Sequence, residues 1–158
     1  MEKGGNIMIK PEILDQQVLL QGIGTEGLSK IAQIAKEVSI KKGEPLFKEK
    51  EATRGLWLIV SGKIEISRVT ADGWRQTLVV LPAGHFFGEL SILENRQHVA
   101  SAVALEDTDL LLIPKEDFEK MMEEDCGLAL NIIKRLAIVM SKNIRRMNDK
   151  FLSALISY

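Results

Sequence analysis

Phe86-Phe87-Gly88-Glu89-Leu90-Ser91-Ile92-Leu93-Glu94-Asn95-Arg96-Gln97-His98-Val99-Ala100-Ser101-Ala102-Val103-Ala104-Leu105 is the stretch whose reading decides the fold of this chain. A glycine is followed by a short apolar turn of helix, then a polar loop, then an alternating segment that reads as a strand. A glycine opening into a helical turn presents backbone N–H groups in one direction, an arrangement suited to an anion. Glu89 stands among Phe86, Phe87, Leu90 and Ile92. A carboxylate in such surroundings is costly unless hydrogen bonds reach it. A ribose hydroxyl would supply them, and so would neighbouring backbone N–H groups.

Upstream of this stretch the pattern is that of strands. Leu56, Leu58 and Val60 alternate with Trp57 and Ile59; Ile64 and Ile66 alternate with Lys63 and Glu65; Thr77, Val79 and Leu81 are expected on one face. Lys42-Gly43, Ser61-Gly62, Asp72-Gly73 and Pro82-Ala83-Gly84 punctuate the zone as turns. Asp72-Gly73 predicts a two-residue hairpin of type I′, which needs positive φ at both central residues. Short strands at these intervals favour a sandwich, jelly roll or small barrel from Glu37 to about Ile113.

Helices flank the strands. Leu28, Ile31, Ala32, Ile34 and Ala35 recur at helical spacing before Lys36, with Thr25 placed to cap the start. Pro114 ends the last strand and opens a short acidic helix over Lys115 to Glu124. A long helix then runs from Gly127 towards Tyr158, with Met140, Ile144, Met147, Phe151 and Leu155 as a continuous apolar stripe.

Bulk properties bound the function. The chain has 158 residues, 46% of them hydrophobic and 27% charged, which is enough for one self-sufficient core with a helical appendage. Its net charge of −1 gives it no overall pull towards nucleic acid or anionic membrane. Cys126 is the only cysteine, so no disulfide staples the fold and a reducing compartment is expected. The segment Met1 to Lys10 carries no apolar stretch of signal-peptide length, and no run of about 18 apolar residues occurs. A cytoplasmic location follows as the expectation.

The charge is unevenly spread. Glu106 to Asp125 holds nine acids against Lys115 and Lys120, while Lys134 to Lys150 holds six bases against Asp149. Two solvated faces that attract each other account for this, and a basic helix for an anionic partner is the sharper alternative. Gly22-Ile23-Gly24-Thr25-Glu26-Gly27 matches a dinucleotide fingerprint by pattern but lacks the βαβ context, so it reads as a loop leading into a helix. His85 and His98 lack metal-ligand spacing. No nucleophile elbow, Walker loop or zinc-protease motif occurs, and an enzyme is the least favoured class.

Two segments, Leu56 to Ile66 and Leu81 to Ser91, resemble the cyclic-nucleotide-binding domain family, including the sensor half of catabolite-activator and fumarate–nitrate-reduction type regulators. The resemblance runs from about Leu19 to Asn148. It implies a mainly β, double-stranded β-helix (jelly-roll-like) fold with flanking N-terminal helices and a long C-terminal helix. The expected organisation is an N-terminal segment over residues 1–18, the roll with its flanking helices over 19–125, and the long helix over 126–158.

The resemblance also implies a ligand site made of Phe87, Gly88, Glu89, Leu90 and Ser91. Glu89 would hold a ribose 2′-hydroxyl, and the backbone N–H groups of Gly88 to Ser91 would face a phosphate. Where the family places an arginine and a small or hydroxyl residue, this chain has His98 and Val99. Arg96 is a secondary candidate for the missing cation, and Asn143 on the long helix for a contact to the base. Losing a bidentate arginine weakens binding by roughly tenfold to more than a hundredfold. No cofactor is expected beyond a cyclic nucleotide or another anionic small ligand.

Three functions follow as expectations. The first is a ligand-sensing regulatory domain of altered specificity that signals through its C-terminal helix as a homodimer. The second is a β-roll acting as a dimerisation or protein-interaction module without ligand. The third is the sensor portion of a transcription regulator whose DNA-binding domain lies outside this chain, because Tyr158 comes too soon for a winged helix. Specific DNA binding by this chain alone is not expected.

Overall fold

The computed structural model describes residues 9–156. Met1 to Met8 of the expected N-terminal segment, and the last two residues of the expected long helix, lie outside them. Helix α1 (Pro11–Asp15), a 3₁₀ turn (Val18–Leu20) and α2 (Thr25–Ile34) precede eight strands: β1 (Lys36–Ile40), β2 (Pro45–Phe47), β3 (Gly55–Ser61), β4 (Lys63–Val69), β5 (Arg75–Pro82), β6 (Phe86–Phe87), β7 (Ser101–Ala104) and β8 (Thr108–Pro114). Helix α3 (Glu89–Leu93) lies between β6 and β7, and α4 (Lys115–Glu124) and α5 (Cys126–Ile156) follow β8. The strands form two four-stranded antiparallel sheets, ordered β1-β8-β3-β6 and β2-β7-β4-β5. This is the expected jelly-roll-like fold.

Strands β3 and β8 explain why their sequences read as nearly unbroken apolar runs. Trp57, Ile59, Leu110 and Leu112 point into the roll with Phe47, Ile64 and Phe87. Leu56, Leu58, Leu111 and Ile113 point out of it, against Leu14, Leu28, Phe118 and Ile132 of the helices. One sheet therefore separates two cores, and both of its faces are apolar. Each fully buried aliphatic side chain there contributes about 1.5–3 kcal/mol relative to exposure.

Four local expectations need correction. Thr25 is the first residue of α2, not its cap; Gly24 occupies the cap with no side-chain hydrogen bond, because the loop already brings an extended backbone to that point. Lys36 begins β1, so the helical zone ends before it. At the β4–β5 hairpin only Gly73 has positive φ, +83°, and Asp72 does not. Thr70 spans the loop instead: its carbonyl accepts from Gly73 N–H at 2.9 Å and its N–H donates to Trp74 O at 2.8 Å. That is a type I turn closed by a left-handed glycine, the three-residue hairpin solution.

The fourth correction concerns Thr77. A register shift opposite Ile66 and Ser67 leaves Val79 and Leu81 paired with inward-facing Ile66 and Ile64, but Thr77 paired with Ser67. Thr77 consequently donates its hydroxyl to Glu65 on the opposite face, at 3.2 Å. One extra residue in a strand reverses the face of everything beyond it.

Pro114 does close β8 and cap α4, as its fixed φ and missing N–H require. Helix α5 begins at Cys126. Asp125 caps it: Leu128 N–H donates to Oδ1 at 3.0 Å, while Lys30 Nζ lies 2.6 Å from Oδ2. Lys30 first, and that backbone N–H second, hold the Asp125 carboxyl below its usual range. Leu128, Ile132 and Leu136 bury the first turns of α5 against α2 and α4. Beyond Val139 the helix leaves that core, and Ile144, Met147, Phe151 and Leu155 are all more than half exposed.

The acidic segment does not pair with the bases of α5 in the ion pairs seen. Lys41 holds Asp107, Lys63 holds Glu106, Lys30 holds Asp125, and Lys115 and Lys120 hold Glu119 and Glu124 within α4. Among the described residues no helix is long and apolar enough to cross a membrane.

Candidate functional site

The segment from Gly84 to Leu105 forms a cassette between the sheets. Strand β6 pairs with β3, with Phe87 opposite Trp57, and so fixes where α3 begins. Gly88 makes the corner at φ +88°, and a Cβ there would lie 2.9 Å from Gly55 O. Only glycine fits this corner. Helix α3 follows at once, and Asn95 at φ +48° turns the chain back towards β7.

Glu89, the first residue of α3, is half-buried. Desolvation raises its carboxyl pKa above the ordinary value, and a hydrogen bond from its own backbone N–H opposes this. Phe87 and Ser91 are buried, while Leu90 is exposed at the surface.

His98 does not sit as a free cation. Its side chain is 4% exposed, and its ring lies on Phe47 with 3.6 Å between centroids and 7° between planes. Ser91 Oγ is 3.1 Å from Nδ1, and Nε2 is buried with no partner. Whichever tautomer is present, one ring nitrogen stays unsatisfied. Desolvation lowers the His98 pKa, with Glu51 pulling the other way. The loop after β2 clamps this residue by its backbone: Lys50 N–H donates to His98 O at 2.8 Å and His98 N–H to Glu51 O at 2.9 Å. Lys50 adopts φ +72° to do so.

The interior beside the cassette is filled by rings. Trp57 stacks on Phe87 at 6.4 Å and 9°, Phe87 meets Phe47 at 5.9 Å, and Phe47 carries His98. Trp57 Nε1 is buried without a partner. Two cavities of about 400 and 300 Å³ lie elsewhere: one beside Glu65, Arg75 and Thr77, the other between the loop before α2 and α5. Neither contains a residue of the proposed ligand set.

The structure thus brings Phe87, Gly88, Glu89, Ser91 and His98 into one cassette and leaves three candidates at its edge or beyond. Val99 is 39% exposed. Arg96 is exposed and paired with Glu94. Asn143 is exposed on α5 and accepts from Arg146 one turn along, at 3.5 Å. Sequence reasoning missed Phe47 and Glu51; the run Leu46-Phe47-Lys48-Glu49-Lys50-Glu51 marks a strand end and a charged loop, but nothing in it names His98 as its partner.

Known proteins share this architecture. Over 96 residues the chain is 36% identical to a cyclic AMP receptor protein of Thermus thermophilus, covering 61% of this chain and 44% of the relative. Over 121 residues it is 31% identical to the anaerobic regulatory protein of Bacillus subtilis, covering 76% and 49%. It therefore spans about half the length of these relatives. The crystal structure of the Thermus thermophilus catabolite activator protein superposes with a TM-score of 0.73 at 27% identity, covering 85% of this chain and 62% of that one. The family model of the cyclic nucleotide-binding domain matches residues 37–125, from the first strand through the cassette to the acidic helix, and with the eight-stranded roll and the Gly88-Glu89 corner in place the chain belongs to that family.

Proposed function

We propose that this chain is a ligand-sensing regulatory domain whose cassette has an altered specificity, and that it signals through α5 as a homodimer. The carrying observation is His98: in the loop between α3 and β7 it is stacked on Phe47, bound to Ser91 and left with one unpaired nitrogen. A neutral, buried imidazole offers an anion one donor where an arginine would offer a bidentate charged pair. The ligand-binding set proposed is Phe87, Gly88, Glu89, Leu90, Ser91, His98 and Val99, with Glu89 taking a ribose hydroxyl. The filled aromatic interior supports the second reading, a roll that works by protein contact without ligand.

Calorimetric titration with a panel of cyclic mono- and dinucleotides tests this. The unmodified chain should bind 3′,5′-cyclic AMP at least about tenfold more weakly than His98→Arg. Binding by neither protein to any member of the panel overturns the ligand reading in favour of protein contact.

A further inference from the structure

The proposed reading leaves open how the cassette and α5 are joined, and the residues Gln17 and Val18 stand at that joint. Gln17 is 2% exposed, and its Nε2 donates to Ile59 O at 3.2 Å. The same carbonyl accepts from Gly84 N–H at 2.8 Å, at the turn that opens the cassette. Val18 N–H donates to Gly84 O at 2.9 Å, so the dipeptide holds that turn directly through Val18 and indirectly through the Ile59 carbonyl that Gln17 and Gly84 share. From its other side, Val18 O accepts from Arg135 Nη2 of α5 at 2.9 Å, and the same nitrogen lies 2.7 Å from Gln21 Oε1.

We infer that Gln17 and Val18 form a clasp that transmits the position of the cassette turn to α5, with Arg135 as the positioning residue on the helix. The path is a continuous chain of hydrogen bonds: a turn with Gly84 at φ +85°, a buried glutamine, and a guanidinium engaged on two acceptors. The clasp is also incompletely satisfied. Gln17 Oε1 is a buried acceptor without a partner, and Arg135 Nε a buried donor without one, on the two sides of Val18. Groups left unpaired on both sides of a joint favour rearrangement there over rearrangement within the backbone ladders of the strands. An open pocket of about 300 Å³ lined by Gln21, Asn131, Lys134 and Arg135 adjoins the joint.

The inference rests on α5 being the signalling element, and its test uses no ligand, so it stands or falls whether or not a cyclic nucleotide binds. Amide hydrogen exchange is followed by mass spectrometry on the full chain. Arg135→Met keeps the apolar stem but removes both donors, and should speed exchange of the Gly84 to Gly88 amides about tenfold as well as loosening α5. Leu128→Ala weakens the packing of the same helix without touching the clasp, and should speed exchange in α5 alone. Faster exchange confined to α5 in Arg135→Met overturns the inference, as does equal acceleration at Gly84 to Gly88 in Leu128→Ala. Should Arg135→Met not fold, Arg135→Lys is read instead: it keeps one donor for Val18 O, and a few-fold acceleration at the same amides supports the clasp while no change overturns it.

Discussion

His98 lies flat on Phe47, 3.6 Å between ring centroids and 7° between planes, so the loop leading from α3 to β7 is anchored to β2 by a stack that buries the imidazole. Burial lowers the His98 pKa, placing the folded value below the 6.5 or so of an unfolded chain. The neutral ring therefore contributes stability that is present above about pH 6.5 and is lost as pH falls through the lowered folded value. His98→Gln keeps a hydrogen-bonding partner for Ser91 and does not titrate. Between pH 7.5 and pH 5.5 the urea midpoint of the unmodified chain should fall further than that of His98→Gln. Parallel curves for the two proteins would remove His98 as the titrating group.

The same stack predicts a packing cost. Phe47 is 7% exposed and touches both Phe87 and His98. Phe47→Ala should cost about 3–5 kcal/mol in urea unfolding, the range for an aromatic removed from a packed core. A loss under about 1 kcal/mol would mean that the interior collapses around the site rather than holding it.

What the sequence made legible follows from how local each determinant is. The roll could be read because β3 and β8 carry apolar residues on both faces, and because Gly62, Gly73, Gly84 and Gly88 stand where the backbone has positive φ. The Gly88-Glu89 corner was legible for the same reason. The face of Thr77 was not, because a bulge leaves no mark in the alternation. Nor was the burial of His98: its partners Phe47 and Glu51 lie far back along the chain, and only the fold brings them together. The place of Asn143 along a helix says nothing of where that helix leaves the roll, and it leaves before reaching Asn143.

The free half of α5 predicts a dimer. Ile133, Met140 and Met147 recur every seven residues, as do Leu130, Ile144 and Phe151 with Ala137 between them, and Ile144, Met147 and Phe151 are 56%, 66% and 65% exposed. That spacing is the seam of a two-stranded coiled coil. Light scattering should give twice the 17.6 kDa chain mass, and Met147→Glu should return the single mass. A single mass for the unmodified chain at micromolar concentration would rule the seam out.

Lys142, Arg145, Arg146 and Lys150 lie exposed on that same half of the helix. They suffice for phosphate contacts, but no recognition helix follows them within the described residues. Binding of this chain to duplex DNA should be blind to sequence and should weaken by about tenfold or more between 50 and 200 mM salt. Salt-resistant preference for one sequence over scrambled competitors would contradict this.

Glu89 and His98 together predict the shape of the pH profile for ligand. A ribose hydroxyl is held best by the Glu89 carboxylate, and a phosphate by the His98 imidazolium, so strongest binding needs both groups charged. In unfolded chains that condition spans about pH 4.3 to 6.5. Burial raises the Glu89 pKa and lowers that of His98, so the two values approach each other and the window narrows from both ends. Affinity for 3′,5′-cyclic AMP should pass through a maximum inside that interval and fall on either side. His98→Arg carries a charge that does not titrate, so its alkaline limb should disappear while the acid limb, set by Glu89, remains. Glu89→Gln should do the reverse, and should also erase any preference for the ribose ligand over its 2′-deoxy analogue, about tenfold in the parent protein. Calorimetry across pH 4.5 to 8 separates the limbs. A bell-shaped profile that survives in the doubly substituted protein would assign both limbs to other groups.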